Sequence, residues 1–92
     1  MKIVVNKCYG GFSISDKAAH GLGITEEDSY AIRRDDPVLI EAIERFGSDY
    51  ASGYLAQLEI VDLPSNTTDW MIEEYDGYET VYYVVNGLIH TA

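Results

Sequence analysis

The alternation of apolar and polar positions divides this chain into a helical first half and a strand-rich second half. Lys2–Asn6 is a short β-branched run that predicts an opening strand. Gly10-Gly11 break it, and Ser13 or Ser15 is placed to cap a short helix reaching about Leu22. Thr25-Glu26-Glu27-Asp28 reads either as the capped start of another helical turn or as an acidic loop leading into an extended Tyr30–Arg34. The clearest helix follows. Asp36 is a good N-cap, Pro37 suits the first helical position, and Gly47 supplies the stop. Leu39, Ile43 and Phe46 form its apolar stripe, widened by Ile40 and Ala42, and Glu41 and Arg45 are spaced to pair on the outer side.

From there the period falls to two. Tyr54–Leu63 sets Ala56, Leu58 and Ile60 on one face against Gln57 and Glu59 on the other. Trp70–Tyr75, Asp76-Gly77 and Tyr78–Val85 predict a hairpin, because Asp-Gly accepts the positive φ angles of a type I′ turn. Asn86-Gly87 repeats the signal before Leu88–Ala92. The predicted fold class is α+β: two short helices packed on one face of a mostly antiparallel sheet of four to five strands, in the order β-α-α-β-β-β. Ninety-two residues make a single domain, 1–92.

A two-residue Asp76-Gly77 turn predicts register as well as topology. Tyr75 falls opposite Tyr78, Glu74 opposite Glu79, and Ile72 opposite Val81. One face then carries Trp70, Ile72, Val81, Tyr83 and Val85, with Glu74 and Glu79 at its tip, and reads as core. The other carries Met71, Glu73, Tyr75, Tyr78, Thr80, Tyr82 and Val84. Tyrosines on a sheet face offer large contact area with few rotamers to freeze, as recognition surfaces do. Like charges directly opposite cost about 0.2–1 kcal/mol, so Glu74 facing Glu79 implies a local cost retained for a partner, or a different register. Partner binding is therefore expected at Glu73, Glu74, Tyr75, Asp76, Tyr78, Glu79 and Tyr82.

Charge sharpens this picture. The chain carries 6 basic and 16 acidic residues for a net charge of −10. Residues 1–45 hold all six basic groups against eight acidic ones, and residues 46–92 hold eight acidic groups and no Lys or Arg. That field disfavours direct binding to nucleic acid or an anionic membrane and favours a basic protein surface. Reactive groups are sparse. Cys8 has only His20 and His90 as potential bases, at uninformative spacings. Gly10-Gly11 lack the dinucleotide fingerprint and the P-loop lysine, and read as a tight turn that lets Phe12 pack near the core. Glu26-Glu27-Asp28 and Asp35-Asp36 do not follow calcium-loop spacing. Glu74 with Glu79 could do acid–base work only if burial split their pKa values, and a place at a turn tip argues for solvent instead. The expectation is a non-enzyme with no cofactor and no metal. One cysteine and no signal-peptide pattern suit a cytoplasmic protein.

Several strings together resemble a group of small proteins common in phage genomes and prophages. They are Ile3-Val4-Val5-Asn6-Lys7-Cys8-Tyr9-Gly10-Gly11-Phe12-Ser13-Ile14-Ser15, Arg34-Asp35-Asp36-Pro37-Val38-Leu39-Ile40, Leu58-Glu59-Ile60-Val61-Asp62-Leu63-Pro64 and Trp70–Glu79. The apolar tail Val81–His90 departs from the basic, His-Arg-containing ending of that group. The resemblance implies a phage or prophage accessory protein working in the host cytoplasm. With the acidic half, it leads to the expectation of an inhibitor that presents carboxylates to a host nucleic-acid-binding protein, such as a nuclease or a CRISPR effector. The alternative is a self-associating scaffold, a homodimer, built on the apolar tail.

Overall fold

The computed structural model describes residues 1–92, apart from the side chain of Glu26. In chain order the elements are β1 (Lys2–Asn6), α1 (Asp16–Leu22), α2 (Glu26–Ser29), α3 (Pro37–Phe46), α4 (Ser48–Ala51), β2 (Leu58–Asp62), β3 (Asp69–Tyr75), β4 (Tyr78–Val85) and β5 (Leu88–Thr91). The class is α+β, as the periodicities predict. The helices number four, and the strands divide between two antiparallel sheets, β1-β2 and β3-β4-β5, where one sheet was expected.

The division follows from the backbone groups of β1. One edge of this strand pairs with β2, from Lys2 against Asp62 to Asn6 against Leu58. On the other edge the Val4 N–H donates to the Arg34 carbonyl at 2.8 Å, and the Asn6 N–H donates to the Glu79 carboxylate at 2.7 Å. These groups occupy the places a third strand would take, and an occupied edge cannot extend a sheet. The β3-β4-β5 meander therefore packs against the face of β1. Alternation along β1 then makes two cores. Val4 joins Ile14, Ala18, Ala19, Leu39, Ile43, Ala51 and Leu58 beneath the helices. Ile3 and Val5 join Leu63 and Val81 on the opposite side, with Trp70, Ile72 and Tyr83 half-buried against them.

The local signals act as the residue types require. Ser15 caps α1 by accepting from the Ala18 N–H at 3.1 Å and donates to the Tyr50 carbonyl at 2.6 Å. Thr25 caps α2, and Asp36 caps α3 through the Val38 and Leu39 N–H groups. Glu41 and Arg45 pair at 3.6 Å on the exposed side of α3. Two expectations are corrected. Of the two readings of Thr25–Asp28 the capped helical turn is the one formed, and Tyr30–Arg34 follows it as turns and irregular chain rather than an extended segment. The strand expected over Tyr54–Leu63 begins only at Leu58, since Leu55 takes a positive φ of 68° and the chain turns there. α4, which precedes it, lies where the sequence shows only the Gly47 stop.

Candidate binding surface at the hairpin tip

The Asp76-Gly77 turn joins β3 and β4 in the register that a two-residue turn dictates, with Tyr75 opposite Tyr78, Glu74 opposite Glu79 and Trp70 opposite Tyr83. The tip is held down rather than projecting freely. Gly77 is buried against the backbone of Tyr9 and Gly11, so close that a Cβ there would collide with Gly11. Gly10 lies equally close to the carbonyl of Leu55. Gly77 and Gly10 thus each admit a second backbone at close range, Gly11 between them takes a positive φ of 91°, and Phe12 beyond packs partly buried on the helical core.

Behind the tip lies a buried polar network. Asn6 is fully buried. Its amide nitrogen donates to the Gly77 and Cys8 carbonyls, both at 2.7 Å, and its Oδ1 accepts from the Gln57 N–H at 2.8 Å and the Cys8 thiol at 3.4 Å. The single thiol proton of Cys8 is shared between that oxygen and the nearer Leu55 carbonyl at 2.9 Å. Glu79 is 4% exposed. The Arg34 guanidinium grips its two carboxylate oxygens in a fork at 2.6 and 2.8 Å and donates to the Val4 carbonyl at 3.3 Å. Arg34 also stacks on the Phe12 ring, 3.6 Å from its centroid. Lys7 donates to the Glu79 carbonyl at 3.0 Å and lies over the Tyr78 ring.

This geometry corrects the expectations for the facing carboxylates. Glu79 lies beneath the surface and not in solvent, and Arg34 and the Asn6 N–H occupy its oxygens, so it is not among the groups a partner can reach. Period-two parity already put Glu79 on the core face with Val81 and Tyr83; that signal outranks its nearness to the turn. Glu74 accepts from the Gly77 N–H. With Glu79 neutralised and Glu74 bonded to the turn, the facing pair needs no partner to offset it. Replacing Glu74 with Lys removes the turn bond and meets a carboxylate already satisfied. That variant is expected to lose about 0.5–1.5 kcal/mol in a denaturant titration, the worth of one hydrogen bond; a gain would show that Glu79 is available to a new cation.

The remaining predicted residues reach the surface. Glu73, Glu74 and Asp76 are exposed, and among the described residues no Lys or Arg lies within ion-pairing distance of them. Tyr75 is 74% exposed, and Tyr78 is half-buried beneath Lys7. Tyr82 is half-buried on the outer sheet face, flanked by Met71 on β3 and Thr91 on β5. The structure adds Tyr9, 70% exposed and 5.5 Å from the Tyr78 ring. Sequence separation of 69 positions between Tyr9 and Tyr78 hid this neighbour. Four of the six basic side chains are ion-paired elsewhere, Lys2 with Glu44, Arg33 with Asp35, Arg34 with Glu79 and Arg45 with Glu41, while Lys7 lies at the tip over the Tyr78 ring. The tip therefore presents three tyrosines and three unpaired carboxylates on a backbone fixed by buried hydrogen bonds.

Elsewhere an apolar groove of about 190 Å³ runs between α1 and α3, lined by Leu22, Val38, Phe46 and Tyr50 with Lys17 and Arg45 at its rim. Among the described residues no cluster of three His, Cys, Asp or Glu side chains is placed to hold a metal, and no helix is long and apolar enough to cross a membrane. No protein-family model, curated protein or solved structure matches the chain.

Proposed function

We propose that this protein is a binding module whose hairpin tip docks on a basic protein surface. The observation that supports the reading is the combination at the tip of Glu73, Glu74 and Asp76, free of ion pairs, with Tyr9, Tyr75 and Tyr78, on a turn fixed by Asn6 and by the close approach of Gly77 to Tyr9 and Gly11. A preorganised surface loses little entropy on docking, tyrosines supply contact area, and carboxylates steer toward cations. The partner class that fits is a nucleic-acid-binding protein, whose basic groove would take carboxylates in place of phosphates. The resemblance to small phage and prophage proteins adds a setting, in which such a module inhibits a host nuclease or defence complex, a CRISPR effector among them.

Affinity capture from a bacterial lysate tests this with two variants. Tyr75→Ala and Glu73→Lys alter exposed side chains and should melt as the parent does. The parent is expected to retain a basic protein at low salt, to lose it as salt rises, and to lose it to added duplex DNA. Both variants are expected to capture far less. A partner that persists through high salt, ignores DNA and binds Glu73→Lys as well as the parent would overturn the reading.

A further inference from the structure

The meander has two open edges, and they differ. On β3 the edge carries Asp69, Glu73 and Glu74, all exposed, and the outward N–H of Trp70 is already taken by the Asp69 carboxylate at 2.9 Å. Charged side chains and local capture of backbone donors both discourage pairing with another strand. On β5 neither device is present. Residues 80–92 contain no Lys, Arg, Asp or Glu. Every residue of β5 is exposed, Ile89 at 73%.

The direction of the β5 backbone groups follows from one hydrogen bond. The Ala92 N–H donates to the Val81 carbonyl at 2.9 Å, so these two residues form a hydrogen-bonded pair. Bonded and non-bonded pairs alternate along an antiparallel ladder. Tyr83 with His90 and Val85 with Leu88 are then the other bonded pairs. The N–H and C=O groups of Ile89 and Thr91 must point away from β4, and among the described residues nothing accepts from or donates to them.

We infer that β5 pairs antiparallel with β5 of a second copy of this chain, about a twofold axis at His90, joining two meanders into one six-stranded sheet. In that register Ile89 lies opposite Thr91 of the other copy, and the two such pairs make four backbone hydrogen bonds. A second copy is the occupant because of charge. In a chain of net charge −10, two copies repel wherever their carboxylates meet, and the neutral 80–92 surface is where they can approach. A basic partner gains nothing electrostatic at this edge and is drawn to the tip instead. Ile89 extends an outer apolar face with Val84, Tyr82 and Met71, so pairing also joins two exposed apolar patches. The contact falls short of the roughly 1,600 Å² of a standard interface, so the dimer is weak and forms with rising concentration. The two hairpin tips point in opposite directions in this arrangement and both stay open.

Sedimentation equilibrium over a wide concentration range is the test, read beside hydrogen exchange. The chain of 10.3 kDa is expected to approach twice that mass as concentration rises, with the Ile89 and Thr91 amides gaining protection in parallel. Ile89→Pro removes an outward donor without touching the β4 ladder, and should stay monomeric with an unchanged circular dichroism spectrum. Ile89→Lys, which keeps the donor but places a charge at the edge, should weaken association by about tenfold or more. A monomer at every concentration overturns the inference. So does a dimer that both variants form as readily as the parent, or one in which the Ile89 and Thr91 amides gain no protection.

Discussion

Arg34→Met is expected to destabilise the protein by about 3–5 kcal/mol, the cost of leaving a buried charge without its partner. For a domain held by about 5–15 kcal/mol in total, that loss leaves a substantial unfolded fraction. The reason lies in how much the guanidinium does at once. It neutralises Glu79, donates to the Val4 carbonyl on the edge of β1, and covers the Phe12 ring. Lysine cannot reproduce the planar fork or the stacking, so Arg34→Lys should recover only part of the loss. Glu79→Gln keeps an acceptor for the Asn6 N–H while removing the charge, and should lose less than Arg34→Met. Guanidinium titrations of the three variants give the order directly. A loss for Arg34→Met below about 1 kcal/mol, the value of an exposed ion pair, would show that water screens the pair.

Asn6→Ala should cost about 2–5 kcal/mol by a different route. It strands the Gly77 carbonyl in the protein interior and takes the partner from the part-buried Gln57 N–H, and a stranded buried group costs about 1–3 kcal/mol. Asn6→Asp separates hydrogen bonding from size. It still accepts from Gln57 but cannot donate to Gly77 or Cys8, and it adds a second carboxylate beside Glu79. It should therefore be at least as damaging as the alanine. Native-state hydrogen exchange at Gln57 supplies an independent reading, with faster exchange expected in Asn6→Ala. An Asp variant as stable as the parent would mean that the donating half of Asn6 contributes nothing.

These two residues also decide what the hairpin tip can be. Without Asn6 holding Gly77 and without the Arg34–Glu79 fork beneath β4, the turn would be an ordinary mobile loop end carrying acidic residues. With them, Tyr75, Asp76 and Glu73 ride on a fixed frame. On the proposed reading, stability and recognition are separable by mutation: the buried polar residues govern the first and the exposed ones the second.

The sequence alone determined those features whose causes lie within a few residues. Asp36-Pro37 and Gly47 bound α3, and the Asp76-Gly77 and Asn86-Gly87 turns set the register of β3, β4 and β5, because a two-residue turn leaves one pairing open. Strand parity then assigned the faces, with Trp70, Ile72 and Val81 inward and Tyr75 and Tyr82 outward. Parity also placed Glu79 inward, but the sequence held no sign of what would meet it there. That was decided by tertiary structure. Arg34 is 45 positions away, Asn6 is 73 positions away, and both arrive beside Glu79 only because the helical half folds over β1. The split into two sheets has the same origin. A strand's apolar pattern shows which faces it buries, but its edge groups can be satisfied by any donor or acceptor the fold delivers. Here a loop carbonyl and a carboxylate from the meander itself occupy the edge of β1, and the meander packs against the face of β1.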